Sequence, residues 1–209
     1  VRVGADRVAA VAALRREHPD CDVVVLDDGL QHYRLRRDLE VAVVDARGFG
    51  NGFMLPAGPL REPRTRLWTV DAVVAHGTDK VKGFAMRLEG DELHRATDAR
   101  ERRKARSFAG ERVHAVAGIG DPNRFFLHLA QFGVKAVPHP FPDHHPFRAA
   151  DLEFGDEAPV MMTEKDAVKC KRYAKPQHWV LPVRAVPEPA FDEWLVRRLG
   201  ELGHRPKAA

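Results

Sequence analysis

The chain has 209 residues, 44% of them hydrophobic and 31% charged, which excludes a disordered or collagen-like chain, and no apolar run approaches the roughly 18 residues of a membrane span. A formal charge of +4, from 34 Lys and Arg against 30 Asp and Glu, suits an anionic partner such as nucleic acid, phosphorylated lipid or a bilayer surface. The two cysteines, Cys21 and Cys170, lie far apart in a chain without a signal-peptide-like start, which favours a reducing, cytosolic compartment.

The first third of the sequence predicts a helix followed by buried strands. Helical spacing covers Asp6 to His18, and short apolar runs follow at Val23 to Leu26, Val41 to Val44 and Ala72 to Ala75. Continuous apolar runs of this length are typical of parallel strands that are buried on both faces. We therefore predict an α/β domain over residues 1–82.

The middle of the chain predicts a connection between domains. Residues Phe84 to Ala96 alternate in polarity around Gly90-Asp91, which indicates a β-hairpin, and the basic run Arg100 to Arg106 follows it. We interpret residues 83–106 as a β-hairpin linker.

The α/β pattern resumes in residues 107–209. We predict strands at Val113 to Ala117, Pro159 to Met162 and His178 to Val183, helices beginning after Asp121 and Thr163, and a terminal helix over Phe191 to Leu199. The predicted fold class is therefore α/β, with two α/β domains that have mainly parallel sheets and are joined by the hairpin.

Two aspartates follow the first apolar run. At the carboxyl end of a parallel strand, Asp27 and Asp28 would present hard oxygen ligands to the ligand crevice, as the Walker-B Asp does for Mg²⁺ in P-loop phosphotransferases. The alternative is a polar Asp-Gly turn in which the carboxylates only cap the chain. A phosphotransferase also needs a glycine-rich Lys-Ser/Thr loop, yet the chain has no Gly-Lys dipeptide. Either the chain is no nucleotide phosphotransferase or this loop precedes Val1, and the fragment-like start favours the second.

A long loop follows the second predicted strand. The Gly and Pro content of Asp45 to Pro63 excludes a regular element, and long loops in compact domains tend to be functional. Its Asn51, Arg61 and Glu62 are candidates for binding polar ligand groups. The alternative is an ordered surface loop that binds no ligand.

A proline-bounded loop in the second half places an acid beside two imidazoles. Asp143 could orient His144 or His145 for proton transfer, or the three could contribute to a metal site. The two distant cysteines do not complete a zinc site. A surface histidine cluster without a function is the alternative.

Several motifs, taken in order, closely resemble the tetraacyldisaccharide 4'-kinase family, the lipid A 4'-kinases of Gram-negative bacteria. They are Asp27 to His32, the loop from Asn51 to Pro63, Val116 to Gly120, Phe141 to His144 and Met162 to Cys170. The resemblance covers nearly the whole chain but only the later two thirds of a family member.

This resemblance implies a kinase that uses ATP and Mg²⁺ to phosphorylate the 4'-hydroxyl of tetraacyldisaccharide 1-phosphate, which forms lipid IVA. It also implies a peripheral enzyme at the cytoplasmic face of the bacterial inner membrane that has no nucleic-acid partner. Family members have two α/β domains joined by a β-ribbon, so the first domain here would be an incomplete P-loop NTPase-like domain.

Carried over by motif, Asp27 and Asp28 match the family's Walker-B-like pair at the Mg²⁺ and phosphate site. His144 matches the histidine that supports proton removal from the acceptor hydroxyl, so the catalytic candidates are Asp28 and His144. The family's P-loop, the acidic partner of that histidine and a membrane-associating helix would all precede Val1. We therefore expect the 209-residue chain to be inactive alone.

Two hypotheses of other classes remain open from the residues alone. One is a metal-dependent phosphohydrolase whose ligands would be Asp27, Asp28, His32, Asp143 and His144. The other is a non-catalytic basic module that binds nucleic acid or anionic lipid through its Arg-rich runs. The lack of a basic surface pattern interleaved with aromatic residues argues against nucleic acid.

Overall fold

The computed structural model describes residues 1–203, which form two compact units. The first unit comprises Val1–Arg87 and the chain from Pro187 onward, and the second comprises Leu88–Val186. The helices are α1 (Arg7–Glu17), α2 (Pro122–Ala130), α3 (Glu164–Cys170) and α4 (Pro189–Gly203). The strands are β1 (Val41–Val44), β2 (Ala72–His76), β3 (Phe84–Glu89), β4 (Glu92–Arg95), β5 (Arg102–Lys104), β6 (Arg112–Ala117), β7 (Lys135–Pro140), β8 (Val160–Thr163), β9 (His178–Leu181) and β10 (Arg184–Pro187).

The first sheet has the strand order β1-β2-β3-β10, and both β1–β2 and β2–β3 are parallel. Several alanine and valine side chains of its strands are buried, among them Ala42, Val44 and Val74. Asp6 caps the amino terminus of α1, because its carboxylate accepts hydrogen bonds from the backbone amides of Val8 and Ala9. The predictions of α1, β1, β2 and their parallel sheet are confirmed.

The strand predicted at Val23 to Leu26 was wrong. These residues have no regular secondary structure, and Val25 is 87% exposed. An apolar run becomes a buried strand only where neighbouring strands and covering helices pack on it. Within residues 1–203 the sheet ends at β1, and this run does not extend it.

The second sheet has the order β5-β4-β9-β8-β6-β7, with β9, β8, β6 and β7 parallel to one another. Large buried side chains such as Phe108, Leu129, Met161 and Trp179 form its core. The sequence correctly predicted β6, β8, β9 and the helices α2 and α3, so both units have mainly parallel sheets, as expected.

The predicted hairpin over Phe84 to Ala96 was also wrong, although both of its strands exist. Strand β3 pairs in parallel with β2, whereas β4 pairs antiparallel with β5 and β9. The antiparallel partner that follows β4 in the chain is thus β5, which lies in the basic run. A Cβ at Gly90 would lie 2.2 Å from the carbonyl oxygen of Pro182, so this position has no room for a side chain.

The compact units divide the chain at positions other than those expected from the sequence. Residues 83–106 contribute to both units, and α4 packs in the first unit rather than in the second. The reason for the placement of α4 is an aromatic cluster, because the rings of Phe191 and Trp194 lie 5.4 and 5.8 Å from the ring of Phe84. None of the helices within residues 1–203 combines the length and the apolarity that crossing a bilayer requires.

A buried histidine in the second unit gives a testable pH dependence. His178 is fully buried in β9, and burial lowers its pKa to about 4, followed by a smaller effect of the Lys175 charge. Protonation therefore favours the unfolded chain, whose histidine has a pKa near 6.5. We expect the free energy of unfolding to fall below pH 6.5 by about 1.4 kcal/mol per pH unit from this residue, and by about 3 kcal/mol in total near pH 4.

Urea unfolding between pH 7.5 and 4.5 tests this expectation. His178→Gln should lose less stability on acidification than the unmodified chain, because glutamine does not titrate while its side-chain oxygen can still accept from the backbone amide of Lys175, as Nδ1 of His178 does. Equal losses in the two proteins would contradict the assignment.

Candidate active site

The predicted aspartate pair lies on an exposed turn of the first unit. Asp28 has a left-handed backbone (φ 54°), a conformation that aspartate tolerates better than most residues. Its two carboxylate oxygens accept hydrogen bonds of 2.8 and 2.5 Å from the guanidinium of Arg61. This hydrogen-bonded guanidinium holds the pKa of Asp28 below its usual value, so Asp28 is ionised at neutral pH. Asp27 beside it is exposed.

Glu62, next to Arg61, makes a second set of contacts with the segment that follows Asp28. Its carboxylate accepts hydrogen bonds from Nε2 of Gln31 (2.6 Å) and from the Tyr33 hydroxyl, and it lies 3.1 Å from Nε of Arg66. Burial alone would raise the pKa of Glu62, but these hydrogen bonds and the Arg66 charge outweigh it and lower the pKa. The structure thus brings Asp28 together with Arg61, and adds partners of Glu62 that the sequence analysis missed. The only sequence signal for Gln31 was its position just after the aspartates.

Asn51 shapes the loop that contains it. Its Nδ2 donates to the carbonyl oxygen of Ala57 (2.9 Å), and its Oδ1 accepts from the backbone amide of Phe53 (3.1 Å), so both polar atoms shape the loop. A Cβ on Gly58 would lie 2.1 Å from Oδ1 of Asn51, which explains the glycine there. Asn51 also lines a cavity of about 410 Å³ together with Phe49, Gly50, Gly52, Arg64 and Lys80.

His144 lies in the second unit, on a turn between β7 and α3. Its backbone is left-handed (φ 62°), and its side chain is 79% exposed. Asp143 is held mainly by Lys165 at 2.8 Å, whose hydrogen bond lowers the pKa of that carboxyl, and its distance to Nε2 of His144 is 3.8 Å. The neighbouring His145 instead pairs with Asp151 at 3.0 Å. The ring of His144 is therefore exposed and makes no close hydrogen bond with Asp143.

The carboxylates of the first unit suit a hard cation. Mg²⁺ usually takes one or two protein carboxylates and completes its shell with water and substrate phosphates, so Asp27 and Asp28 have the right donor chemistry. Within residues 1–203 no three His, Cys, Asp or Glu side chains are grouped closely enough to hold a metal ion on their own. The ligand cluster that a metal-dependent phosphohydrolase needs is not present among them.

Comparison with known proteins agrees with the motifs. A family model described as tetraacyldisaccharide-1-P 4'-kinase matches residues 1–200. A tetraacyldisaccharide 4'-kinase of Aromatoleum aromaticum is 55% identical over 194 residues, which cover 88% of this chain and 57% of the relative. One of Azoarcus sp. is 52% identical over 206 residues, which cover 95% of this chain and 60% of the relative.

A solved structure shows the same relationship. The crystal structure of an "apo" form of LpxK from Aquifex aeolicus in complex with ATP is 25% identical, with a TM-score of 0.65. The match covers 91% of this chain and 62% of that one. The chain spans about 60% of the length of the curated relatives that it matches. The chain belongs to the tetraacyldisaccharide 4'-kinase family.

Proposed function

We propose that this chain is part of an enzyme that transfers the γ-phosphoryl group of ATP to the 4'-hydroxyl of tetraacyldisaccharide 1-phosphate, a step of lipid A biosynthesis that forms lipid IVA. The observation that carries the proposal is the family match over residues 1–200. The contact between Asp28 and Arg61 supports it, because an acid for Mg²⁺ and a cation for phosphate meet at one place.

Phosphoryl transfer depends mostly on positioning and on charge neutralisation. Asp27 and Asp28 would hold Mg²⁺, which when bound would offset the negative charge of the ATP phosphates. The Asp28–Arg61 pair is about half exposed, at 61% and 54% of the two side chains. Such an exposed ion pair contributes less than about 1 kcal/mol to stability, so Mg²⁺ and phosphate could replace this contact at little cost in free energy. The guanidinium fork of Arg61 is suited to phosphate oxygens.

Glu62 and His144 would complete these roles. Glu62 is ionised and fixed by Gln31, Tyr33 and Arg66, so it would keep a negative charge at a defined position beside Arg61. His144 presents an exposed imidazole, which would accept the proton of the acceptor hydroxyl. The Asp143 carboxylate accepts a hydrogen bond from Lys165, so Asp143 would not orient the His144 ring directly.

We also propose the cellular setting. The acceptor is a glycolipid, and a net charge of +4 suits an anionic membrane surface. The protein would act as a peripheral enzyme at the cytoplasmic face of the bacterial inner membrane, without a nucleic-acid partner.

A chimera tests the proposed reaction. The 209 residues contain no Gly-Lys dipeptide and so no phosphate-binding loop of the P-loop type, and we expect them to show no kinase activity alone. Placing before Val1 the amino-terminal segment of the Aromatoleum aromaticum relative, which this chain does not match, should give a kinase. Transfer of label from γ-³²P-ATP to tetraacyldisaccharide 1-phosphate measures it.

The control is the same chimera with Asp38→Asn, which removes an exposed carboxylate outside the motifs and should keep full activity. Equal activity of the chimera and the 209-residue chain would contradict the proposal, as would a folded chimera without activity.

A further inference from the structure

The second unit contains a cavity of about 430 Å³ beside the His144 turn. Its lining combines imidazole, apolar and cationic side chains and includes no acid: His144, His145, Pro146, Phe147, Arg148, Lys169 and Arg172. We call this the basic cavity. Its volume is within the usual range for small-molecule sites, and its charge selects anions.

Two of its three cations make no direct salt bridge, although the charge of Asp151 acts on Arg148. Lys169 is neutralised by the buried carboxylate of Asp166 at 2.9 Å. In the described part of the chain, no carboxylate lies within 4.0 Å of the guanidinium of Arg148 or Arg172. The guanidinium carbon of Arg172 lies 4.7 Å from the centre of the Tyr173 ring. An excess of positive charge therefore remains in a concave site.

A second acid near the basic cavity, Asp151, is engaged in other hydrogen bonds. Asp151 accepts hydrogen bonds from the backbone amide of Arg148 (2.8 Å) and pairs with Nε2 of His145 (3.0 Å). It therefore holds the loop and the imidazole in place, and its charge offsets part of the charge of Arg148 without a direct contact to that guanidinium. The backbone at Arg148 is thereby fixed, and the exposed side chains of Arg148 and Arg172 can be reached by a ligand.

The lining also indicates what kind of anion fits. Guanidinium groups bind phosphate through two parallel hydrogen bonds, and two of them match the nearly doubly charged phosphate monoester better than a carboxylate. Pro146 adds exposed apolar surface next to the cations, whereas Phe147, which also lines the cavity, is almost completely buried. Such a surface suits the carbon skeleton of a sugar attached to the phosphate.

We propose that the basic cavity binds a sugar phosphate monoester through Arg148 and Arg172. The phosphate belongs either to a hexosamine 1-phosphate or to a nucleotide, and both present the same group. The inference extends the proposed function, which uses neither arginine.

Titration of the 209-residue chain by ¹H–¹⁵N NMR tests the site, with glucosamine 1-phosphate and ADP as separate probes. We expect shifts confined to residues 144–148 and 169–172, and binding at least about tenfold weaker in the double variant Arg148→Gln/Arg172→Gln. The matched control is Arg100→Gln/Arg106→Gln, which removes the same charge from exposed arginines of the same unit and should bind as the unmodified chain does.

The probe that binds more tightly identifies the source of the phosphate. Absence of shifts at the basic cavity with both probes would overturn the proposal, and so would equal affinity of the two double variants. Spectra of the unliganded variants establish that each is folded. Because the readout is binding to the 209-residue chain, an inactive chimera would leave this result unaffected, and the two proposals can fail separately.

Discussion

Asp166→Ala is expected to lower the free energy of unfolding of the second unit by about 3 to 5 kcal/mol. The Asp166 carboxylate is completely buried. It accepts hydrogen bonds from the backbone amide of Gly118 (2.9 Å), the Thr163 hydroxyl (2.7 Å) and Nζ of Lys169 (2.9 Å). Alanine would remove the acceptor of an amide, a hydroxyl and a largely buried ammonium, and Lys169 would keep only the carbonyl oxygen of Gly118 at 3.4 Å. Losing all three costs more than the loss of any one hydrogen bond.

Asp166→Asn separates shape from charge. It keeps the size of the side chain and one acceptor oxygen but removes the counter-ion of Lys169, so we expect a smaller loss of about 1 to 3 kcal/mol. The control is Glu164→Gln in the exposed first turn of the same helix, which should change stability by less than about 0.5 kcal/mol. Urea unfolding followed by circular dichroism measures all three. A stability of Asp166→Ala close to that of the control would show that this network does not hold the unit together.

The elements that the sequence predicted well are those decided by local chemistry. Asp6 before a helical spacing marks the start of α1, and the β-branched run from Val41 forms β1. The run from Val23 is equally apolar but forms no strand, because burial depends on neighbouring strands and helices that a local pattern does not contain. For the same reason, the alternation around Gly90 indicated two strands without showing that they pair with different partners.

The candidate site shows the same division. Residue types and spacing selected Asp28, Arg61 and Glu62, and the structure adds the contacts among them, which join positions more than 25 residues apart. Asn51 was chosen for its polar side chain, but the turn geometry of its own loop uses both of its polar atoms. The sequence therefore could not show which side chains far apart in the chain form contacts, or which polar side chains bond to the backbone of their own loop.

The role of Asp28 can be separated from its ion pair in the chimeric kinase. Asp28→Asn keeps the size of the side chain and a residue type that accepts the left-handed backbone, but it removes a negative charge that Mg²⁺ would need. We expect kcat to fall by about 100-fold or more, since electrostatic groups at reacting centres contribute on this scale. Arg61 lowers the pKa of Asp28, so Asp28 stays ionised well below neutral pH and the ratio of the two rates should be constant between pH 6 and 9.

Arg61→Gln breaks the same ion pair from the other side. Both variants should lose less than about 1 kcal/mol of stability, because the pair is half exposed. If the pair were only structural, their activities would fall equally and slightly. We instead expect Arg61→Gln to raise KM for ATP by about tenfold with a smaller change in kcat, because a phosphate-binding cation acts in the ground state as well as in the transition state. Steady-state kinetics with ATP as the varied substrate distinguish the two outcomes, and an Asp28→Asn chimera as active as the Asp38→Asn control would remove Asp28 from the reaction.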